Sequence, residues 1–276
     1  MSSQAELSRR FNRLKEISSI MMAMKIQPLV ETRKLARFIG HQRQMLANIE
    51  AATADFLHFY PQTNAADGER NILLLIGSER GFCGGFNEHV LAKLDTLPAW
   101  SSPPHLVVVG HRLAARLGER TGVITRIDGT TVIEDVPFVL GRLMDALHEA
   151  SLHSFATGVA LYGLAHSADG EPELKRLLPL PPSAAPRYTH KPQIQLPPTE
   201  LFAELLDQYL LAVLHGLLYE SLAAENRQRL AHMENALDRL DDTVTALALK
   251  RNALRQEKII EEIEVMLSSR QAFDEG

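Results

Sequence analysis

The last quarter of this chain is almost free of helix-breaking residues. Residues 199–273 contain no proline and a single glycine, Gly216. A continuous helix over this stretch would be roughly 110 Å long at 1.5 Å per residue, whereas a globule of this chain length has a radius of gyration of roughly 19 Å. The helix must therefore break near Gly216, or it must extend beyond a globular body and pack against a partner along its length.

The predicted final helix carries a heptad seam of apolar residues. The seam residues are spaced alternately by four and three, and the last follows one heptad later: Met233, Leu237, Leu240, Val244, Leu247 and Leu254. Arg251 occupies the seam position between the last two. Further apolar residues, from Ile259 to Leu267, carry the pattern almost to the end of the chain. A heptad repeat of this kind predicts a coiled coil.

The first segment offers a second helix for such a coiled coil. Apolar residues recur at helical spacing up to the first proline, and they are Leu7, Phe11, Leu14, Ile17, Met21 and Met24. Pro28 lacks a backbone N–H donor, so we expect the helix to kink or to start again near it. Residues 1–57 carry a net charge of +4 and residues 199–276 a net charge of −7. Opposite charges favour the two ends lying side by side.

The middle of the chain holds most of the prolines and glycines. Thirteen of the 14 prolines lie between Pro61 and Pro198, and 13 of the 16 glycines lie between Gly68 and Gly170. Continuous apolar runs predict buried parallel strands at 71–77, 105–110 and 158–164. Helical patterns lie at 86–97, 111–120 and 135–153, and residues 169–198 resemble a loop with one extended edge segment at 187–196.

This alternation of strands and helices predicts an α/β domain with a mostly parallel sheet. The chain would then consist of an N-terminal coiled-coil helix at 1–57, a central α/β domain at 58–198 and a C-terminal coiled-coil helix at 199–276.

A glycine-rich stretch, residues 77–87, follows the first predicted strand directly. A loop of this kind between a strand and a helix can hold a phosphate group. Its glycines, Gly81, Gly84 and Gly85, match neither the Walker spacing nor the dinucleotide spacing. Glycine chemistry alone favours a tight turn that needs positive φ. A nucleotide- or phosphate-binding α/β enzyme using this loop remains the alternative.

No pattern of residues predicts an enzyme active site or a metal site. The single cysteine, Cys83, has no histidine or acid placed with it by a recognisable motif, so a small buried thiol is expected. The histidines are scattered and no ligand spacing is present. The longest membrane-like stretch, residues 209–219, is too short to span a bilayer, which needs roughly 20 apolar residues. We therefore expect no cofactor, no metal and a soluble chain.

The glycine-rich loop and both ends of the chain resemble one family, the gamma subunits of F-type ATP synthases. The loop, residues 81–87, is similar to the family signature Gly-Leu-Cys-Gly-Gly-Leu-Asn. The start aligns without gaps from Glu6 to Lys34. The end shares a long run with the family: Glu225, Asn226, Arg229, Met233, Asn252 to Gln256, Ile259, Glu262 and Ile263. The resemblance covers the whole chain in order.

The resemblance implies the rotor of a central stalk, a subunit that catalyses no reaction itself. The terminal helices would form an antiparallel two-helix coiled coil inside a hexamer of alpha and beta subunits. A Rossmann-like α/β domain would be the foot that meets the epsilon subunit and the membrane c-ring. Rotation would couple ion flow at the ring to ATP synthesis, or ATP hydrolysis to ion transport, on the cytoplasmic face of the bacterial inner membrane.

The resemblance also implies roles for single residues. Met24, Arg229, Arg255 and Gln256 match family residues that contact the alpha and beta subunits. Without the resemblance, each would be interpreted as part of the solvated flank of a coiled coil. Pro28 stands where the family has alanine, and this and other departures indicate a divergent member from the alternate bacterial branch proposed to pump sodium.

Overall fold

The computed structural model describes residues 2–61, 70–98, 100, 102–151, 159–180 and 190–274, without the side chains of 2–4 and 268–274. Its elements in chain order are α1 (Ser2–Met24), α2 (Ile26–Phe59), β1 (Arg70–Ile76), α3 (Phe86–Asp95), β2 (His105–Val109), α4 (His111–Leu117), β3 (Val123–Ile127), α5 (Val136–Ala150), β4 (Val159–His166), β5 (Pro172–Leu178) and α6 (Pro198–Asp274). A short 3₁₀ turn, Ile133–Asp135, precedes α5.

Packing divides the chain into two compact units. The smaller unit contains residues 1–27 and 231–276, and the larger unit contains residues 28–230. The predicted division into segments 1–57, 58–198 and 199–276 stays a prediction.

In the smaller unit, α1 and the last part of α6 pack as an antiparallel pair. Lys25 Nζ donates a hydrogen bond to Glu234 Oε1 over 2.8 Å, and the Arg251 guanidinium lies 4.5 Å from the ring centroid of Phe11. The predicted seam residues of α6, with Arg251 among them, are buried or half-buried here, as are the neighbouring Ala236 and Ala248. The heptad seam on α6 is therefore confirmed up to Leu254.

The predicted apolar face of α1 was wrong at two positions. Ile17 and Met24 are exposed, and Ser18 and Lys25 take the half-buried positions instead. The half-buried residues that begin with Leu7, Phe11 and Leu14 and continue through Ser18 to Lys25 are then spaced alternately by four and three. Coiled-coil helices turn every 3.5 residues rather than 3.6, so contact geometry rather than hydrophobicity decides which side chains line the seam.

The first helical segment is interrupted at Lys25. This residue separates α1 from α2, although its N–H still donates to Met21 O over 3.2 Å. Pro28 is the third residue of α2 and is buried. A proline at this position cannot donate to the carbonyl of Met24 and its ring crowds that carbonyl. The predicted new helix start near Pro28 is confirmed.

The larger unit is built around a five-stranded sheet in the order β3-β2-β1-β4-β5. The central strand β1 pairs in parallel with β2 and β4, whereas β5 is an antiparallel edge strand. The three predicted strands and the three helices between them are confirmed over the described residues, while positions 152, 153 and 158 of these predictions lie outside them. We call β1–β5 with α3, α4 and α5 the α/β body, and α2 with α6 up to Leu230 the helix pair.

The strands β3 and β5 were not predicted from the sequence, and the predicted extended edge segment at 187–196 was wrong. Residues 190–196 form no strand, and 187–189 lie outside the described residues. The edge strand is β5, which contains Glu173, Lys175 and Arg176. The other edge strand, β3, contains Thr125 and Arg126. Edge strands are exposed on at least one side, so they lack the continuous apolar run that identifies a buried strand.

The sheet lies between two layers of helices. From Ile72 to Ile76, successive β1 side chains point to opposite faces. Even-numbered residues join the larger core with α2, α5 and α6, and odd-numbered residues join a second core with α3 and α4. Residues 72–76 are buried on both faces, which accounts for their continuous apolar run.

The final helix does not break at Gly216, so the first of the two sequence alternatives was wrong. Gly216 lies within α6, where α2 comes close: a Cβ on it would be 3.9 Å from Gln42 Cγ. Gln42 Nε2 donates to Ala212 O over 2.8 Å. One 18-residue window of α6 is apolar enough to cross a membrane, but 50% of that window is buried inside the protein. Core helices of soluble proteins show the same property.

Candidate functional site

The glycine-rich loop meets α6 at a buried junction. We call residues 77–87, together with Glu225, Asn226 and Arg229, the loop–helix junction. The loop begins where β1 ends, and Gly77 N donates to Val109 O over 2.9 Å. A Cβ on Gly77 would overlap the Cβ of Leu113 and lie 2.7 Å from Asn87 Oδ1. Glycine is therefore required here by close packing.

The loop turns through two residues with positive φ. Gly84 has φ 57° and Phe82 has φ 65°. Glycine adopts this region freely, whereas a bulky residue such as phenylalanine does so at a cost. Gly81 and Gly85 do not have positive φ. Phe82 is also exposed, while the next residue, Cys83, is buried.

Arg229 is the centre of the junction. Its side chain is buried and pairs with Glu225, one helical turn earlier on α6. Arg229 Nη1 donates to Asn226 Oδ1 over 3.0 Å, and Nη2 lies 3.1 Å from Cys83 Sγ. Nε and Nη2 also donate to two loop carbonyls, those of Gly81 at 3.2 Å and Arg80 at 3.3 Å. The guanidinium thus joins α6 to the α/β body.

Without the resemblance, Arg229 would be expected on the solvated flank of a coiled coil. Its side chain is buried instead, and the solvated-flank interpretation was therefore wrong for this residue. Its predicted contact with alpha and beta subunits stays a prediction. Such a contact would have to leave the buried hydrogen bonds in place or replace them, because an unpaired buried guanidinium is costly.

Burial governs the acid–base behaviour of the junction. Complete burial raises the pKa of Glu225 to about 7, while the neighbouring Arg229 opposes this shift. Burial, followed by the charge of Glu225, raises the pKa of Cys83 to about 11. Cys83 Sγ donates to Arg80 O over 3.1 Å. Since a nucleophilic cysteine needs a lowered pKa, this thiol is arranged for packing.

A carboxylate of the chain itself occupies the place where an α/β fold holds an anion. Phosphate sites in such folds use backbone N–H groups at the carboxyl ends of parallel strands. Here Glu79 Oε2 accepts from His111 N at 2.9 Å and from Gly129 N at 2.7 Å. Ser78 N donates to Asn87 Oδ1 over 2.9 Å. These internal bonds argue against a phosphate site in the loop. Among the described residues, no group of three candidate metal ligands is found.

The other predicted contact residues lie in the smaller unit. Met24, Arg255 and Gln256 are exposed. The apolar run that was predicted to continue the seam does not pack on it, because all six of its residues are exposed: Ile259, Ile260, Ile263, Val265, Met266 and Leu267. An exposed apolar run of this length is typical of a surface that binds another protein.

Sequence reasoning missed a second buried attachment, on α2. The carboxylate of Glu31 is buried, and its Oε2 accepts from Ile133 N over 2.8 Å. Its Oε1 accepts from Lys34 Nζ over 3.0 Å, and Lys34 also bonds to Glu134 Oε1 over 2.7 Å. The sequence pattern that could have indicated this attachment is a glutamate three residues before a lysine on one helix. That pattern is so common on exposed helices that it identifies no site by itself.

Comparison of the sequence with known families places almost the whole chain in one of them. A family model described as ATP synthase matches residues 3–273. The ATP synthase gamma chain of Lachnoclostridium phytofermentans is 22% identical over 295 residues, covering 99% of this chain and 100% of the relative. The gamma chain of Saccharopolyspora erythraea is 27% identical over 308 residues, covering 98% of each.

Solved structures share the fold. The chain matches one from the rotor of the Euglena gracilis mitochondrial ATP synthase with a TM-score of 0.61 and 13% identity, covering 94% of this chain and 99% of the other. It also matches a chain from the central stalk and c-ring of the Tetrahymena thermophila enzyme, with a TM-score of 0.54 and 16% identity, covering 79% and 99%.

Proposed function

This chain belongs to the ATP synthase gamma chain family, and we propose that it turns inside a hexamer of alpha and beta subunits. It is the rotor subunit of the central stalk and carries out no catalysis itself. In the proposed arrangement, the α/β body meets an epsilon subunit and the membrane c-ring. The complex lies on the cytoplasmic face of a bacterial inner membrane.

The exposed apolar end of α6 is the observation that best supports this arrangement. Ile259, Ile263 and Met266 are 46–62% exposed near the end of the helix. Leaving such residues in water is unfavourable by about 25 cal/mol per Å² of apolar surface. An enclosing sleeve of other subunits would bury them without fixing them by directional bonds, which suits a part that must turn.

The rotor works by differential contact. A chain that is asymmetric about its axis presents different side chains to each beta subunit, so the catalytic sites are held in different conformations. Rotation moves that asymmetry from one beta subunit to the next. We propose that such contacts are made by Met24, Arg229, Arg255 and Gln256. Of these, Met24, Arg255 and Gln256 are exposed and therefore accessible to another subunit.

Co-expression with alpha and beta subunits tests the proposal. We expect a complex of the three chains in a 3:3:1 ratio that hydrolyses ATP. Arg255→Ala and Gln256→Ala should each lower the ATP turnover of the complex while leaving the thermal unfolding of the isolated chain unchanged. Lys258→Ala, at an exposed neighbour whose Nζ lies 3.5 Å from Glu262 Oε1 on the same helix, is the matched control. Normal turnover in both variants would contradict these two contacts.

The enzyme alternative has a separate test. Calorimetric titration of the full chain with ATP, ADP and NAD should show no micromolar binding, because Glu79 occupies the anion position. Micromolar binding would favour the alternative. The expected sodium branch gains no support from the gamma chains that this chain is similar to.

A further inference from the structure

Two buried glutamates attach the helix pair to the α/β body, one from each helix. Glu31 on α2 is 3% exposed and accepts the N–H of Ile133, the residue that opens the 3₁₀ turn before α5. Glu225 on α6 is 3% exposed, and its Oε1 accepts from Cys83 Sγ in the glycine-rich loop over 3.9 Å. Both attachments lie wholly within the larger unit.

A cation accompanies each glutamate and reaches the α/β body itself. Lys34 bonds to Glu31 and also to Glu134 beside the 3₁₀ turn. Arg229 bonds to Glu225 and also to the loop carbonyls of Arg80 and Gly81. Each attachment is therefore a small network rather than a single hydrogen bond. The pair on α6 is buried throughout, whereas on α2 the Glu31 carboxylate is buried and its partners Lys34 and Glu134 are exposed.

The two attachments lie at the same level of the helix pair. The rings of Phe38 on α2 and Tyr219 on α6 are 6.2 Å apart between centroids. Two turns before Phe38 is Glu31, and two turns after Tyr219 is Asn226, the residue beside Glu225. Because the helices are antiparallel, moving back along one and forward along the other keeps the two positions opposite each other.

Apolar packing alone would hold the helix pair without fixing its orientation. The larger core joins α2 and α6 to the sheet through residues such as Leu35, Phe56 and Leu210. Apolar contacts are non-directional, so they specify the orientation of the helix pair less sharply than hydrogen bonds do. Removing a buried carboxylate from its hydrogen-bond donors is expensive, because the carboxylate is then left unpaired in the interior.

Attachment at two points also resists twisting where one point would not. The axes of packed helices are about 8–10 Å apart. A single bond would let the pair pivot about it, but twisting against two bonds on different helices must stretch both at once. The geometry therefore favours a connection that carries torque.

We propose that Glu31 with Lys34, and Glu225 with Arg229, form a two-point clamp that keeps the helix pair from twisting against the α/β body under torque. This inference rests on the proposed rotor function, because only a turning chain needs the clamp. The four residues are positioning residues: they hold two parts of the rotor in register and touch no nucleotide.

The test uses the assembled complex in lipid vesicles with Glu31→Gln and Glu225→Gln, singly and together. Hydrolysis of ATP at the hexamer should stay within about twofold of the parent, whereas ions transported per ATP should fall by about threefold or more in the double variant and by less in each single variant. Transport is followed by quenching of an acridine dye, or by uptake of radioactive sodium where the dye does not respond.

The control is Glu88→Gln with Asp95→Asn, which removes two carboxylates from surface ion pairs of the α/β body. An equal number of ions per ATP in the double variant and in the control would overturn the clamp. If the double variant does not fold, the number of ions transported per ATP in each single variant is compared with that of the control instead. A second readout is amide hydrogen exchange in the full chain, where the N–H of Ile133 should exchange about tenfold faster in Glu31→Gln than in the control.

The two proposals fail in different ways. A parent chain that does not assemble with alpha and beta subunits contradicts the proposed function, and amide exchange at Ile133 still tests the Glu31 attachment. A parent complex that transports ions normally, with a double variant that matches its control, contradicts the clamp alone.

Discussion

Arg229 Nη2 lies 3.1 Å from Cys83 Sγ, and this contact joins α6 to the glycine-rich loop. The two residues are 146 positions apart in the chain. The same guanidinium pairs with Glu225 on its own helix. A buried cation, a buried carboxylate and a thiol therefore share one site, where the helix pair enters the α/β body.

The first prediction concerns the reactivity of Cys83. Its pKa is raised from 9.0 to about 11 and its side chain is buried. At pH 8 the thiolate fraction is then about 100-fold smaller than in the unfolded chain, so iodoacetamide should alkylate the folded chain at least about 100-fold more slowly. Cys83 is the single cysteine, so mass spectrometry reports it without interference. A Glu119→Cys variant, labelled at an exposed site, is the control; a folded-state rate at Cys83 within tenfold of the unfolded rate would contradict the burial.

The second prediction concerns Glu225 and pH. Its pKa is raised from 4.5 to about 7 in the folded chain. Between these two values the folded chain holds a proton that the unfolded chain releases, so this group's contribution to stability falls as pH rises. The loss amounts to up to about 3 kcal/mol and is complete above pH 7.

Glu225→Gln should remove this dependence. Relative to the variant, the parent chain should lose stability as pH rises from 4.5 to 7.5, as measured by urea unfolding at several pH values. Glu173→Gln, at an exposed site, is the control and should show no such trend. A free-energy difference between parent and Glu225→Gln that stays constant with pH would show that Glu225 titrates normally.

The third prediction concerns two glycines. A Cβ on Gly77 would overlap Leu113, so Gly77→Ala should cost about 3 kcal/mol or more of unfolding free energy. Gly141 lies in α5 with nothing within 4 Å of its added Cβ, so Gly141→Ala should stabilise the chain by about 0.5–1 kcal/mol. Urea unfolding measures both. Equal effects in the two variants would be incompatible with the close packing at Gly77.

The fourth prediction concerns the heptad seam. Leu237 is on the seam of α6 and is 9% exposed, whereas Leu249 is on the outer face and is 67% exposed. Leu237→Ala should destabilise the smaller unit by about 2–4 kcal/mol, and Leu249→Ala by less than about 0.5 kcal/mol. The difference is read from the thermal unfolding of the coiled coil by circular dichroism. A larger effect at Leu249 would place the seam on the other face.

Much of the fold could be predicted because local patterns reflect burial on a regular element. The strands β1, β2 and β4 are buried on both faces and therefore appear as continuous apolar runs. The seam of α6 was predicted correctly, including the polar position at Arg251, because spacing alone defines it. The edge strands β3 and β5 could not be identified, because charged and polar residues such as Arg126, Glu173 and Arg176 interrupt their apolar runs.

The site was predicted only in part, because its contacts are non-local. The motif residues around Cys83 and Arg229 were singled out, but the bonds between them join positions nearly 150 apart. No periodicity carries that information. The same holds for Glu31, whose backbone partner at Ile133 is 102 residues away.

The central claim is that this chain turns inside its hexamer, and single-molecule rotation tests it most directly. A bead is attached through Glu119→Cys on the α/β body, while the alpha and beta subunits are fixed to a surface; Cys83 is buried and does not compete for the label. We expect ATP to drive rotation of the bead in one direction, with one pause per turn for each beta subunit. A complex that hydrolyses ATP at the normal rate while its bead stays still would contradict the account.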